Sequence, residues 1–518
     1  MKQSKLRKIR IVVSIIFLLC TAFLFLDITN FIPSKFFGYV TFLQFIPSAI
    51  KFASLLAPAT IGFFIVLVLT VLFGRVYCSG ICPLGTIQDI SSHIAKKNNR
   101  KKKFIYTKEH SWLRYSVLAL TVLPVLFGSI LIINLLDPYS NTGRILSQIF
   151  NPIVALLNNI AATTLENFNI YILYPVEVKD FYFTVALFPV VFLSVIIFLS
   201  YKRGRLYCNT ICPVGTLLGL VSKFTIFKLK IDESTCEGCG VCARVCKSEC
   251  IEPATKSIDF SRCVACYNCL QVCPSDSINY QFKDSNHKEI ISDESRRNFL
   301  SKTTLFFVGL TATALSQIKI IPKKASKVEI KKNSVSSPPG SNAVEHFTSN
   351  CTACQLCVTA CPTRVLQPSI IEYGIFSIFQ PFMDYQTSFC NYDCTVCGEI
   401  CPTSAILPVT KEKKKNVQIG KAKFIKENCI VETENTACGA CSEHCPTKAV
   451  MMVDYKNNLK IPEVIEKYCV GCGACEFACP TKPYKAIYVD GNLIHQTAEI
   501  RPAEKLDQNI DYKEEFPF

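Results

Sequence analysis

Cysteine spacing constrains this chain more than any other feature of its sequence. Two runs of the form C-x2-C-x2-C-x3-C occupy residues 236–246 and 263–273. This spacing binds two 4Fe-4S clusters in bacterial proteins, where the fourth cysteine of each run ligates the cluster of the other run. Three thiolates on one tight loop hold three irons, and the fourth closes the cage from a separate segment. The sequence therefore predicts two clusters, held by Cys236, Cys239, Cys242 and Cys273 and by Cys263, Cys266, Cys269 and Cys246.

The last third of the chain carries four more groups of four cysteines. Two groups have the regular spacing, and two have a wider first gap. They consist of Cys351, Cys354, Cys357 and Cys361; Cys390, Cys394, Cys397 and Cys401; Cys429, Cys438, Cys441 and Cys445; and Cys469, Cys472, Cys475 and Cys479. These thiols predict four more 4Fe-4S clusters, six in all, arranged as two double-cluster modules. The spacing leaves open whether the first group pairs with the second or with the fourth.

Zinc and disulfides are the alternative uses for 30 cysteines. Structural zinc normally shows paired C-x2-C knuckles separated by a dozen or more residues, often with histidine. Disulfides form in exported proteins. Triple runs whose last cysteine precedes proline, as in five of the six groups here, favour iron-sulfur clusters over both alternatives.

Four uncharged apolar stretches are the expected membrane spans. They cover residues 11–26, 52–74, 115–136 and 181–201. Each is near the roughly 20 residues that a helix needs to cross a bilayer core, and the mean hydropathy of the whole chain is +0.29. A further apolar stretch, residues 145–165, contains several Asn and Gln side chains and is predicted to be an amphipathic or re-entrant helix at the outer face.

The net charge of +16 carries information about orientation. Lys and Arg cluster at the ends of the apolar stretches, and Arg75 and Arg205 belong to these clusters. The positive-inside rule places the clusters and the amino terminus in the cytoplasm. This distribution favours a membrane protein over a nucleic-acid-binding protein, so no nucleic acid is expected as a partner.

An internal repeat brings four more cysteines into consideration. The sequence GRVYCSGICPLGT at residues 74–86 recurs as GRLYCNTICPVGT at residues 204–216. The two copies follow the second and fourth expected spans, so an even number of crossings separates them and both lie at the cytoplasmic face. Their thiols are predicted either to form a seventh cluster or redox-active group or to have a structural role; they are Cys78, Cys82, Cys208 and Cys212.

An export signal is predicted before the last third of the chain. Arg296 and Arg297 precede Phe-Leu and a short uncharged stretch, residues 303–318. This pattern is typical of a twin-arginine leader, which exports proteins that have already folded around their metals. An ordinary fifth span is the alternative, and both interpretations place the remainder of the chain outside.

These features predict an α-helical membrane domain, with four spans plus the twin-arginine-like fifth, joined to α+β bacterial-ferredoxin-like modules. One module is expected in the cytoplasm and two in the periplasm. The predicted boundaries are 1–230 for the membrane domain, 231–283 for the cytoplasmic two-cluster module, 295–322 for the signal or fifth span, 323–341 for a linker, 342–500 for the periplasmic four-cluster domain and 501–518 for a tail.

The two parts of the chain resemble a known pair of protein families. The twin G-R-x-Y-C-x3-C-P-x-G motifs followed by a two-cluster module are similar to NapH-type membrane ferredoxins, and the twin-arginine leader followed by four cluster motifs resembles the NapG-type partner. In periplasmic nitrate reductase systems these are separate chains that oxidise quinol together. The resemblance implies a fused quinol dehydrogenase component of the bacterial inner membrane. It would take electrons from menaquinol or ubiquinol and pass them to a periplasmic reductase or multihaem cytochrome.

A different function remains as the alternative. Proteins with the same twin C-x3-C-P membrane module help to assemble cytochrome oxidases, in part by handling copper. Such proteins usually end in an outer β-sandwich, whereas this chain ends in four cluster motifs. The carboxy-terminal motifs therefore favour electron transfer.

Overall fold

The computed structural model describes residues 4–29, 31–56, 60–98, 104–176, 183–282 and 328–501. They divide into two compact units. The first unit takes its described residues from 4–282, 344–382 and 396–408, and the second takes them from 328–343, 383–395 and 409–501. The predicted signal, with Arg296 and Arg297, lies outside the described residues, as do most of the tail and the first residues of the linker.

The first unit begins with a helical domain, residues 4–222. Its helices are α1 (Ser4–Leu26), α2 (Ser34–Phe42), α3 (Phe45–Leu55), α4 (Gly62–Phe73), α5 (Pro83–Asn98), α6 (Ser111–Leu126), α7 (Leu131–Leu136), α8 (Pro138–Ile145), α9 (Asn151–Glu166), α10 (Phe183–Arg203), α11 (Leu206–Thr210) and α12 (Pro213–Ser222). Two π-helical turns, Tyr77–Ile81 and Leu146–Phe150, complete it, and the second joins α8 to α9.

Three described helices are long and apolar enough to cross a membrane: Lys5–Leu26, Pro138–Glu166 and Phe183–Arg203. The bent pair α2 and α3 makes a fourth if it counts as one span. The first and last of the four expected spans thus coincide with long helices, whereas α4 and α6, in the second and third, are shorter.

The stretch 145–165, predicted as an amphipathic or re-entrant helix at the outer face, belongs to the 29-residue helix Pro138–Glu166, which is long and apolar enough to cross a membrane. The polar side chains that suggested an interfacial helix are paired. Asn151 donates to the Phe25 carbonyl oxygen at 2.8 Å, and Asn159 exchanges two hydrogen bonds with the Val176 backbone. Satisfied amides cost less in an apolar environment than free ones, so they do not prevent a long apolar helix.

Two small cysteine-rich modules complete the first unit. The first ferredoxin module, residues 227–282, pairs β1 (Phe227–Ile231) with β4 (Ile278–Phe282) and β2 (Ile251–Glu252) with β3 (Ser257–Ile258), all antiparallel. Its helices are α13 (Val241–Val245) and α14 (Asn268–Val272). The second ferredoxin module, residues 344–382 and 396–408, contains α15 (Val344–Asn350), α16 (Leu356–Thr359), β5 (Leu366–Pro368), the start of β6 (Pro381–Met383) and α17 (Val396–Ile400).

The second unit contains the third ferredoxin module, residues 417–497. The long strands β7 (Val417–Phe424) and β10 (Ile487–Thr497) pair antiparallel, as do β8 (Val450–Asp454) and β9 (Lys460–Val464). Short helices carry or follow the cysteines, namely α19 (Ile430–Thr433), α20 (Ala440–Glu443) and α21 (Ala474–Ala478), and α18 (Lys411–Lys414) precedes the module. Every described sheet has two strands, so each module is α+β with little apolar core.

Candidate metal centres

The four regular cysteine runs share one backbone conformation. In each, the residues immediately before and after the second cysteine have positive φ. These pairs are Gly238 and Gly240, Ala265 and Tyr267, Ala353 and Gln355, and Gly471 and Gly473. Alternating right- and left-handed residues turn successive backbone N–H groups toward one concavity, a nest that suits anions such as iron-sulfur clusters. Alanine, tyrosine and glutamine adopt this conformation at a cost of roughly 1–2 kcal/mol each, which the loops bear without glycine.

In the first ferredoxin module the structure brings the thiols together crosswise. Cys273 of the second run lies near Cys242 of the first, which in turn lies near Cys239. Cys246 of the first run lies beside Cys266 and Cys269 of the second. This second set lines a small, largely apolar cavity together with Leu229 and Ile258.

Cys250, which belongs to neither predicted set, is buried within the second one. Its Sγ atom lies 3.5 Å from Sγ of Cys246, and it also contacts Cys263. The hydrogen bond with Cys250 lowers the pKa of the Cys246 thiol below its usual range. Cys250 therefore acts on the electrostatics of a candidate ligand, a role that spacing alone did not indicate.

In the last third, the structure pairs the first group with the second. Cys401 lies beside Cys351, Cys354 and Cys357 in the second ferredoxin module. Cys397 also lies in the first unit, near Cys357. The other two members of the second group belong to the second unit, where the Cys390 amide donates to the Cys472 carbonyl oxygen at 2.9 Å.

The third and fourth groups pair with each other in the third ferredoxin module. Cys479 lies beside Cys429, Cys438 and Cys441. Cys445 lies beside Cys469, Cys472 and Cys475. The wide gap between Cys429 and Cys438 is spanned by α19, so the first thiol still reaches its set.

Hydrogen bonds to sulfur recur around these thiols. The amides of Ala422 and Ala486 donate to Sγ of Cys469 and Cys479, both at 3.4 Å. In addition, five of the six groups end in Cys-Pro followed by Thr or Ser, and the hydroxyl contacts the cysteine two residues earlier. The hydroxyls belong to Ser275, Thr363, Thr403, Thr447 and Thr481, at 3.8, 3.7, 3.7, 3.7 and 3.1 Å. The sequence prediction missed these residues, although the repeated Cys-Pro-Thr/Ser signal was available.

Burial governs the protonation of three candidate ligands. Removal from water raises the pKa of the Cys354, Cys441 and Cys472 thiols to about 12. Free thiols at these positions are therefore protonated at neutral pH, and metal binding must release their protons.

The residues fit an iron-sulfur cluster better than a single ion. Within the described part of the chain, no group of three or more His, Cys, Asp or Glu side chains is arranged so that it could hold one metal ion. Crosswise thiol sets, nests of backbone N–H groups and hydrogen bonds to sulfur are instead the features that cluster binding uses.

The repeated motifs fold alike and bring their thiols together. Cys82 and Cys212 have nearly the same extended backbone, with ψ of 117° in both, and the following prolines begin α5 and α12. All four thiols belong to one buried core, together with Tyr77 and Tyr207. We call this the repeat-cysteine site, formed by Cys78, Cys82, Cys208 and Cys212.

The arginine of each repeat donates a hydrogen bond to the backbone of the other repeat. Arg205 donates to the Cys78 carbonyl oxygen, and Arg75 donates to the Cys208 carbonyl oxygen at 3.1 Å. A Cβ atom at Gly85 or Gly215 would lie 2.3 or 2.1 Å from these carbonyl oxygens. Only glycine therefore permits the close approach, which explains the last glycine of each motif.

Comparisons with known proteins agree with this geometry. A 4Fe-4S binding domain family matches residues 55–102 and 185–232, which contain the two repeats. Another 4Fe-4S binding domain family matches residues 256–279 and 344–367. A 4Fe-4S dicluster domain family matches residues 436–482, which contain most of the third and all of the fourth late cysteine group.

Several curated proteins are similar to parts of the chain. The methylamine utilization ferredoxin-type protein MauN of Methylobacillus flagellatus is 26% identical over 33% of this chain and 48% of its own length. The ferredoxin-type protein NapH of Haemophilus influenzae is 26% identical over 35% of this chain and 50% of its own length. The ferredoxin-type protein NapF of Escherichia coli is 31% identical over 14% of this chain and 38% of its own length. The chain spans about half the length of the curated relatives that it matches.

No solved structure matches the chain. The family matches establish several 4Fe-4S ferredoxin domains. The NapH and MauN similarities relate the chain to ferredoxin-type electron-transfer proteins of the NapH kind. Fusion to a NapG-type partner stays a prediction.

Proposed function

We propose that the chain takes electrons from menaquinol or ubiquinol in the bacterial inner membrane and passes them to a periplasmic reductase or multihaem cytochrome. Six 4Fe-4S clusters, held by the 24 cysteines of the six groups, carry the electrons one at a time. The first ferredoxin module is cytoplasmic, and the last third is exported behind Arg296 and Arg297. This orientation rests on the positive-inside rule and on the twin-arginine pattern.

The observation that carries the proposal is the crosswise assembly of thiols from separate runs. Disulfides or single zinc ions need no such exchange, whereas paired clusters use it. The protein's own contribution is to space the clusters and to tune them. It holds the ligands on nest loops, excludes water by burial and donates hydrogen bonds to sulfur.

The relatives reported above are named as ferredoxin-type proteins. These names favour electron transfer over the alternative function in maturation and copper handling.

Iron and acid-labile sulfide per chain test the cluster content. We expect about 24 irons in the six groups, measured on the purified full chain together with its electron paramagnetic resonance spectrum. A content near zero, or zinc in place of iron, would overturn the proposal.

The electron route is tested in membranes containing the full chain, with a reduced quinone as donor and a multihaem cytochrome as acceptor. Cys351→Ala and Cys469→Ala each remove one candidate ligand from the last third, and both are expected to stop reduction of the acceptor. Undiminished reduction in both variants would show that the exported clusters do not carry the current.

A further inference from the structure

Helix α1 packs against three of the candidate centres within the first unit. Near its start, Leu6 packs on the core of the first ferredoxin module. Phe17 packs on the core that contains the repeat-cysteine site, and Leu24 and Phe25 share a core with Cys354 of the second ferredoxin module. At 1.5 Å per residue, these three levels are about 16 and 10 Å apart along the helix. The repeat-cysteine site thus lies between the two modules along α1.

The first ferredoxin module touches the repeat-cysteine site directly. Val264, between two candidate ligands, is a buried member of the same core, and Cys266 packs against it. Arg75 reaches from the repeat to the Ser261 carbonyl oxygen at 3.1 Å. One side-chain layer therefore separates the two sets of thiols.

Aromatic rings connect the repeat-cysteine site with the second ferredoxin module. The ring centroids of Tyr207 and Phe192 are 5.6 Å apart, those of Phe192 and Phe188 are 6.0 Å apart, and those of Phe188 and Phe379 are 5.0 Å apart. Phe379 shares a small core with Ala353, in the nest loop of the second module. The rings form a continuous aromatic path from one thiol set to the next.

Helix α8 fixes that nest loop to the helical domain. Arg144, which is fully buried, donates to the Ala353 carbonyl oxygen at 3.0 Å and lies 5.1 Å from the Phe379 ring. Gln148 donates to Gln355 at 2.7 Å. Within the first unit, these hydrogen bonds therefore hold the second module next to the aromatic path.

The charges around the repeat-cysteine site call for an anionic occupant. Asp89 alone faces Arg10, Arg205 and Lys247, at 2.6, 2.9 and 3.3 Å. Arg75 has 0% exposure and pairs with neutral groups, chiefly the Asn209 side chain at 2.8 Å. Arg10 and Lys247 also face Cys266 of the first ferredoxin module. Arg205 and Arg75 are the cations that face Cys208, and among the described residues only Arg205 of these two forms an ion pair. Uncompensated charge is costly in a buried region, and an iron-sulfur cluster with four thiolate ligands supplies the missing negative charge.

The family that matches the two repeats is described as a 4Fe-4S binding domain, and the four repeat cysteines are the only cysteines in the matched residues. We propose that electrons cross the helical domain between the first and second ferredoxin modules through an additional iron-sulfur cluster held by these cysteines. The inference rests on the proposed function and supplies the connection between its cytoplasmic and exported parts. Each step moves one electron. The chain provides the ligands, the cationic surroundings and the aromatic path, and the donor and acceptor are the neighbouring module clusters.

Metal content tests the site itself. The double variant Cys78→Ser/Cys208→Ser is compared with Cys20→Ser, which changes a cysteine of α1 outside every candidate set. Iron in the double variant is expected to fall by the two to four atoms of one cluster, with the resonance signals of the ferredoxin modules retained. Equal iron in both proteins would overturn the inference alone. Far fewer than about 24 irons in the unaltered chain would instead overturn the proposed function.

Electron crossing is tested in sealed proteoliposomes with ferricyanide inside and dithionite outside. Each dithionite, oxidised with water to two sulfites, releases two electrons, which reduce two ferricyanides. We expect the double variant to be at least tenfold slower than Cys20→Ser, after subtraction of the rate in protein-free liposomes. If the double variant loses more than one cluster, the single variant Cys82→Ser must show the same slowing. Equal rates in these variants and Cys20→Ser would overturn the inference.

Discussion

At the scale of single residues, hydroxyl groups tune individual clusters. The hydroxyl of Thr481 lies 3.1 Å from Sγ of Cys479, the shortest of the five such contacts. A ligand thiolate only accepts hydrogen bonds, so Thr481 donates and stabilises the more negative, reduced cluster. The equivalent hydroxyls at 3.7 or 3.8 Å interact more weakly.

Thr481→Val is therefore expected to lower the reduction potential of one cluster. A hydrogen bond worth about 0.5–1.5 kcal/mol corresponds to roughly 20–60 mV for one electron. Redox titration followed by electron paramagnetic resonance measures the shift, and Thr481→Ser, which keeps the hydroxyl, serves as the control. A potential unchanged in the valine variant would show that the contact does not influence the cluster.

Half-buried His495 gives the second unit a dependence on pH. It lies 2.9 Å from the Ser337 hydroxyl, and burial lowers its pKa from 6.5 to about 4. The unfolded chain binds a proton on this side chain below pH 6.5, whereas the folded chain does not until about pH 4. Stability must therefore fall as the pH drops through this window. We expect the melting temperature to decrease more between pH 7 and pH 5 in the unaltered chain than in His495→Gln. Parallel pH profiles would contradict this assignment.

At the scale of elements, the nest loops decide whether a cluster can bind. Gly473 has a φ of 81°, and a Cβ atom there would lie 1.9 Å from the buried Tyr385 ring. Tyr385 in turn donates to the Gly471 carbonyl oxygen at 2.6 Å. The Tyr385 ring thus packs against the loop. Because the ring is buried and hydrogen-bonded to the same loop, a methyl group at position 473 would clash with it.

We expect Gly473→Ala to displace this loop and to cost one cluster, about four irons per chain. Gly238→Ala is the matched control, because Gly238 has a φ of 69° in the equivalent loop with no atom within 4 Å of its Cβ position. The free energy of unfolding of the Gly238→Ala variant should fall by only roughly 1–2 kcal/mol through backbone strain, and this variant should keep its iron. Full iron content in Gly473→Ala would refute the role of the ring.

Sequence spacing predicted which thiols share a loop, but it did not predict several contacts between segments that are distant in the sequence. The C-x2-C-x2-C runs give the thiols of one loop, but the pairing of Cys351 with Cys401 depends on packing between segments. Arg75 and Arg205 look like an exposed basic flank in the sequence, and the structure buries both against the opposite repeat. Asn159 suggested an interfacial helix because its partner, Val176, is 17 residues away. In each case the deciding contact is distant in the sequence and absent from any local pattern.

At the scale of the whole molecule, two kinds of stability coexist in one chain. The helical domain is held by long apolar helices such as α1 and α10. The three ferredoxin modules have two-stranded sheets and short helices, and buried thiols with raised pKa values take the place of a large apolar core. Clusters therefore contribute the folding free energy that side-chain packing does not supply.

Iron removal should consequently unfold the modules and spare the helices. We expect a chelator with ferricyanide, which oxidises and extracts the clusters, to abolish hydrogen-exchange protection in residues 227–282 and 417–497. Protection in Ser4–Leu26 and Phe183–Arg203 should persist, because these helices bury their backbone hydrogen bonds without metal. Hydrogen exchange with mass spectrometry on the full chain in detergent measures both regions at once. The chain treated with ferricyanide alone, before iron is lost, controls for oxidation of the thiols. Protected modules in iron-free protein would mean that packing, and not the clusters, holds them folded.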